Sequence, residues 1–474
     1  MKVLQLVKNP WMYLLIIILI ALIVRIINIT FPFGDFDEGT YIATVRSFVG
    51  GHPLLTQTYL SQFPLFIYFL SFFYILSHAI VSLRLFSIIC SLITILLIFL
   101  ITKKRIGFLP ALLIGIYLSV DSAFLIVSRT IQADIPWMCF TMISFYCLLL
   151  YEQKRKIYLF LLAGTAFGIS ILIKANGVFG IVFLFYIILL AKVTLKKKLL
   201  LMLIYFAPTI ILFFLFIPFD QIPLLYHQAI LVRLSFWSFD IKSFQSSLRK
   251  EYIMQEWIFF ILGIASSIMI ILQILKKKSL APFFFEILVI IWFYITAGIF
   301  LIYNPLFAHH FVFLIIPQAL LAAFLFNAIG KKSAALAIII GFFSILFSTR
   351  GIENIVFPRM TAYDKNLTQT ASFIQKTTLP NDKIITDEPI ILYLANRDTL
   401  PEYVDLSYVR IESKNLQTKS FLFTLLHYGT REVIYASGRL EKLAGSEKIL
   451  ASIYEKKQFG SIRVYIAPYY FKSN

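Results

Sequence analysis

Apolar residues fill the first 350 positions in stretches near twenty residues long, with few polar interruptions. Helical stretches of that length match the hydrocarbon thickness of a bilayer. The pattern predicts spanning helices over 11–29, 83–102, 108–127, 136–151, 157–174, 175–191, 199–217, 256–275, 282–303, 311–329 and 333–349. After position 350 the apolar runs shorten to four to six residues. Short β-rich runs at 383–386, 432–436 and 461–467 then alternate with helical stretches near 364–377, 412–427 and 440–454. The expected architecture is a polytopic α-helical membrane domain over 1–349, followed by a small α/β domain over 350–474.

Composition narrows the class. With 60% hydrophobic and 14% charged residues, the chain lies far from a soluble domain, which holds roughly 45–50% apolar and about 25% charged residues. A soluble enzyme, a disordered chain and a secreted disulfide scaffold are excluded. Cys90, Cys139 and Cys147 all sit in apolar runs, with no CxxC or Cys/His spacing that reads as a metal site.

The net charge of +19 resembles a nucleic-acid signal until its placement is followed. Basic residues cluster at Lys2 and Lys8, Lys103–Arg105, Lys154–Lys156, Lys192 with Lys196–Lys198, Lys276–Lys278, and Lys331-Lys332. These clusters hold 17 of the 26 basic residues before position 350. The positive-inside rule places them on the cytoplasmic side, so the charge reports topology and no nucleic-acid partner is expected. One further apolar run, 64–80, would reverse every later cluster if it spanned, and is expected to lie outside as a juxtamembrane helix. The N-terminus is then inside and the C-terminal domain extracytoplasmic, in a multi-pass plasma-membrane protein. The first apolar run is too long for a signal peptide and lacks a small-residue cleavage site.

Eight of the eleven acidic residues before position 350 fall on the outer loops of this topology. Asp35, Asp37 and Glu38 stand together after the first span, ahead of the amphipathic stretch Tyr41–Val49. Such acids are often only solvated loop residues, but a cluster in a part-buried outer cleft can supply a general base. Asp134 precedes Ile135-Pro136, a pattern equally read as a helix N-cap. Nine basic residues lie on the outer half: Arg25, Arg46, Arg84, Arg129, Lys174, Arg233, Lys242, Arg249 and Lys250. Arg forks and Lys ammoniums pair with phosphate oxygens; the alternative is snorkelling to headgroups, favoured for Lys242, Arg249 and Lys250. His309-His310 precedes the 311–329 span, where adjacent histidines diverge too far for a two-His metal site but suit a donor to phosphate or a sugar hydroxyl.

The ordered set resembles a known family. Asp37-Glu38 followed by Tyr41, Phe63-Pro64-Leu65-Phe66, Arg84 opening a span, Ser128-Arg129 with Asp134-Ile135-Pro136, Lys174-Ala175-Asn176-Gly177, and His309-His310 ahead of Pro317 are similar to the C-type membrane glycosyltransferases. The likeness is to protein O-mannosyltransferases and aminoarabinose–lipid A transferases. It covers about 1–350, and the trailing α/β domain is similar to that of prokaryotic members. The resemblance implies a polyprenyl- or dolichyl-phosphate sugar donor, no cofactor, no metal, and an inverting single displacement onto a glycan, lipid or protein hydroxyl. It further implies Asp37 as the base, with Glu38 beside it and Asp134 as the second acid. Arg129, Lys174, Arg233, His309, His310, Tyr41, Gln62 and Arg84 are then candidates for holding the donor. Thr40 and Gln62 stand where aminoarabinose transferases carry Arg and Lys, which argues against that sugar and lipid A. The absence of WWDYG argues against en-bloc glycan transfer to Asn. A transporter or flippase, or a non-catalytic scaffold for lipid-linked sugars, is the alternative; a transporter would need ionisable groups near the midplane, for which Asp121 and Glu286 are the candidates.

Overall fold

In a computed structural model the described residues are 9–30, 36–175, 178–190, 193–235, 254–302 and 306–468. Asp35, the Asn176-Gly177 turn, Lys242, Arg249 and Lys250 lie outside them, as does the Glu256 side chain. The chain forms two compact units that interleave along the sequence. One comprises Met1–Ile29, Arg84–Phe216 and Ser238–Phe357; the other comprises Thr30–Leu83, Ile217–Trp237 and Pro358–Asn474. Two segments of the membrane portion are thus packed with the C-terminal residues.

The first unit is helical. Each of the eleven expected stretches contains a helix or a broken pair of helices. Among the described residues, six helices are long and apolar enough to cross a bilayer: Ile80–Arg105, Asp134–Lys154, Leu195–Phe216, Trp257–Lys277, Ala281–Phe300 and His309–Gly330. Four others, Pro10–Ile26, Tyr158–Ile173, Phe179–Leu189 and Ala334–Ser348, are shorter apolar helices of 10–17 residues. The expected 108–127 span is broken at Asp121 into Phe108–Val120 and Ser122–Ser128, bent by 56°. The break has a local cause. Asp121 is non-helical (φ −59°, ψ 126°), and its carboxylate accepts the Phe124 N–H at 2.7 Å, capping the second helix. Arg25, fully buried, donates to the carbonyls of Leu118 and Ser119 that the break leaves without helical partners.

Tyr158–Ile173 and Leu195–Phe216 pack at the distance that two glycines allow. A Cβ on Gly164 would lie 2.0 Å from the Tyr205 carbonyl oxygen, and one on Gly168 would lie 2.8 Å from Thr209 Cα. Small residues four apart let backbones approach where no hydrophobic force separates helix from lipid.

The second unit holds a four-stranded sheet, β1 (Ile384–Thr386), β2 (Glu432–Tyr435), β3 (Glu455–Phe459) and β4 (Ile462–Ile466), in the order β1-β2-β4-β3. β1 and β2 run parallel, and the other pairs are antiparallel. Ile385, Val433, Tyr435, Tyr465, Phe421 and Leu450 form part of its core. Three strands fall where the apolar runs predicted them. β3 does not: Glu-Lys-Lys-Gln-Phe is polar and mostly exposed, as suits an edge strand protected by charge. The same unit contains the helix Phe36–Val49 and the apolar helix Leu65–Leu76, which falls in the run 64–80.

Candidate active site

In the first unit, Asp134 begins the Asp134–Lys154 helix rather than capping it; Ala133 occupies the cap position. Its fully buried carboxylate accepts from Lys174 Nζ at 2.7 Å. Lys174 stands in extended conformation where Tyr158–Ile173 ends, so two helix termini bring opposite charges together. Phe313 is a shared neighbour. Lys174 Nζ lies 5.3 Å from its ring centroid, the Trp137 ring 4.9 Å and the His310 ring 6.4 Å. Lys174, Trp137 and His310 are therefore gathered around one aromatic ring, with Asp134 joined to them through Lys174. Trp137 and Phe313 were not singled out in the sequence; Trp137 lies three residues after Asp134, on the same helical face. His309 and His310 share the turn Ala308–Phe311, and His310 Nδ1 accepts the Phe307 N–H at 3.1 Å.

Arg129 and Arg84, in the same unit, donate to backbone carbonyls. Arg129 donates to the carbonyl oxygens of Ile355 at 2.7 Å and Val24 at 3.3 Å, and also to Ile27. Arg84 donates to the carbonyl oxygen of Ile29. A guanidinium so placed satisfies carbonyls that helix ends leave open.

In the second unit, Asp37 and Glu38 occupy the first turn of Phe36–Val49, Asp37 half-buried and Glu38 fully buried. Acidic side chains suit the positive end of a helix. Gln62 Nε2 donates to the Tyr41 hydroxyl, and Arg233 Nε donates to the Ser61 carbonyl at 3.2 Å. The structure thus joins Tyr41 with Gln62, and Arg233 with the residue next to Gln62. Asp37 and Asp134 belong to different units.

The start of Phe36–Val49 rests on the C-terminal residues of its own unit. A Cβ on Gly39 would meet Ile390 N at 2.5 Å and Pro389 C at 3.0 Å. Arg439 Cζ stacks 3.8 Å from the Phe36 ring centroid, and its Nη1 lies 4.0 Å from Glu388 Oε2. The Tyr363 hydroxyl donates to Glu388 at 3.4 Å. Burial pushes the Glu388 carboxyl up to about 7, with Arg439 opposing and Asp387 adding to the shift. Farther along the helix, Arg46 pairs with Asp398 at 2.8 Å beside a cavity of about 110 Å3 that Lys383 and His52 also line.

Comparison with known proteins bears on this geometry. Residues 57–219 match the family described as dolichyl-phosphate-mannose-protein mannosyltransferase. That segment includes Gln62, Arg84, Arg129, Asp134 and Lys174. The structure aligns with apo ArnT from Cupriavidus metallidurans at a TM-score of 0.66 and 12% identity, covering 97% of this chain and 98% of that one. The chain has the C-type glycosyltransferase fold. ArnT bound to undecaprenyl phosphate aligns at 0.60 and 11% identity, over 97% of this chain and 99% of that one. The Archaeoglobus fulgidus oligosaccharyltransferase tethered to an acceptor peptide aligns at 0.63 and 13% identity, over 98% and 76%. No curated protein sequence matches the chain. The chain is accordingly a multi-pass membrane protein of this fold, in which residues 57–219 match the mannosyltransferase family model.

Proposed function

We propose that the protein transfers a single sugar from a polyprenyl- or dolichyl-phosphate donor to a hydroxyl on a glycan, lipid or protein acceptor. Transfer takes place on the outer face of the plasma membrane, with eleven spans, the N-terminus inside and the C-terminal residues outside. Asp37 removes the acceptor proton as the hydroxyl oxygen attacks the anomeric carbon. The bond to the phosphate oxygen breaks in the same displacement, inverting the anomeric centre, and the lipid phosphate leaves with the electron pair.

The observation that carries this reading is the pairing of Lys174 with Asp134 at 2.7 Å, in a segment that matches the mannosyltransferase family. A cation held by a buried carboxylate is pre-oriented for a phosphate that develops charge as the sugar leaves. Lys174 is assigned to that phosphate, with His309, His310 and Arg233 as further contacts. Tyr41 and Gln62 are assigned to the donor, and Glu38 and Asp134 shape the acid side of the site. Arg84 and Arg129 are assigned to the donor as well, their guanidiniums oriented by the carbonyls they bind.

The test separates chemistry from binding. Losing a general base lowers turnover by roughly 10²–10⁴-fold, so Asp37→Asn abolishes transfer while polyprenyl-phosphate-sugar binding stays near the wild-type level. Lys174→Ala weakens donor binding instead. Near-normal transfer by Asp37→Asn sinks the assignment of the base; absence of any transfer by the wild type sinks the enzyme reading.

A further inference from the structure

We propose that Arg439 is a positioning residue for Asp37, so that the sheet-bearing C-terminal segment is part of the transfer machinery. The proposal rests on the reading of Asp37 as the base. Its basis is an unbroken series of contacts from the sheet to the residue before Asp37. β1 ends at Thr386, and Asp387 follows. Asp387 Oδ1 accepts the backbone N–H groups of Ala436 at 2.7 Å and Ser437 at 3.1 Å, and Oδ2 accepts that of Leu440 at 3.0 Å. The Ser437 hydroxyl donates back to the Asp387 carbonyl at 2.7 Å. The loop carrying Arg439 is thereby tied at both ends to the end of β1.

Arg439 Cζ then sits 3.8 Å over the Phe36 ring centroid, and its Nη1 donates to the Asp387 carbonyl at 3.4 Å. A guanidinium stacked on an aromatic face attracts through the ring quadrupole, and its planar geometry fixes the ring's orientation. Phe36 is covalently next to Asp37. A second contact, two residues beyond Asp37, fixes the height of the same turn: Gly39 abuts the backbone of Pro389-Ile390, which follows Glu388 directly. The first turn is thus held laterally by Arg439 and vertically by Pro389-Ile390. Both holds descend from the end of β1. An exposed catalytic helix would need neither.

The position of a base within a fraction of an ångström governs rate more than affinity; a displacement near 1 Å costs on the order of 10²-fold. Arg439→Ala is expected to lower turnover by roughly 10–100-fold while donor binding changes less than about twofold. Hydrogen exchange over residues 36–45 is expected to rise, with exchange in β2 and β4 unchanged. Arg439→Lys keeps the charge without the planar stack and recovers turnover only in part. Phe36→Leu, which keeps an apolar side chain and removes the ring, reproduces the Arg439→Ala profile. Lys448→Ala, at an exposed position on the same segment, serves as the unaffected control.

Wild-type turnover and unchanged exchange in Arg439→Ala overturn the proposal, and so does a joint loss of donor binding and of protection throughout the sheet. The underlying reading fails separately: if Asp37→Asn still transfers sugar, the base is misassigned whatever Arg439 does.

Discussion

Glu432 lies on the central strand β2 and is fully buried. One carboxylate oxygen accepts from the Thr377 hydroxyl at 2.7 Å; the other has no hydrogen-bond partner among the described residues. Burial raises its pKa from 4.5 to about 7, with the Thr377 bond and Arg431 working in the opposite direction. The folded state therefore holds a proton that the unfolded chain releases. At pH values well below 4.5 both states are protonated and the effect vanishes. Between about 4.5 and 7 only the unfolded chain ionises, so stability falls as pH rises. Above about 7 both are ionised and the full cost remains. At about 1.4 kcal/mol per pKa unit, the rise from 4.5 to about 7 costs about 3 kcal/mol at pH 8. Glu432→Gln keeps an acceptor for Thr377 and removes the ionisation. Pulse proteolysis of the detergent-solubilised protein across a urea series, from pH 4 to 8, reads the unfolding of the sheet. The wild type is expected to lose stability through this window, and Glu432→Gln to lose markedly less, the remainder coming from Glu388. Identical pH profiles for wild type and Glu432→Gln would refute the argument.

Other expectations follow from packing and topology. Removing one partner of the buried Asp134–Lys174 pair, as in Asp134→Leu or Lys174→Met, should cost about 3–5 kcal/mol, whereas the double variant Asp134→Leu/Lys174→Met should be far closer to wild type; equal costs for single and double variants in thermal unfolding would argue against an ion pair. Gly164→Val should force Tyr158–Ile173 from Leu195–Phe216 and lower the melting temperature, while Gly298→Ala, where a Cβ meets nothing within 4 Å, should change it little. Cysteines at Lys197 and Lys277 should resist an impermeant thiol reagent in intact cells, and one at Ser452 should react; labelling at position 197 from outside contradicts the proposed orientation.

Helix placement was legible because the lipid solvent demands long apolar runs, and no alternative pattern competes over twenty residues. What the sequence does not announce are contacts across long separations. Asp134 and Lys174 are forty residues apart, and nothing local marks them as partners. The break at Asp121 was hidden because the residues on both sides are apolar, so a hydropathy window reads through it. β3 was hidden for the opposite reason, since an edge strand needs no apolar face. The helix Ile390–Ala395 is a six-residue apolar run, too short for periodicity to separate helix from strand. Glycine at position 39 reads as loop composition until the backbone of Pro389-Ile390 is found against it.

The arginine bonds to backbone carbonyls also constrain how the chain is made. Arg129 donates to the carbonyl of Ile355, Asn28 to that of Val356, and the Ser122 hydroxyl to that of Arg350. These acceptors are synthesised more than two hundred residues after the donors. During synthesis the first helices leave the ribosome with an amide and a hydroxyl whose acceptors do not yet exist, and a guanidinium that still lacks one of its acceptors. Burying them early would cost desolvation without compensation. The exit of the first helix therefore stays open to water, or to the insertion machinery, until residues 350–356 arrive, and closing it is a late step in membrane assembly. A chain stopped at position 349 would insert its helices and still lack the acceptors that shut this seam.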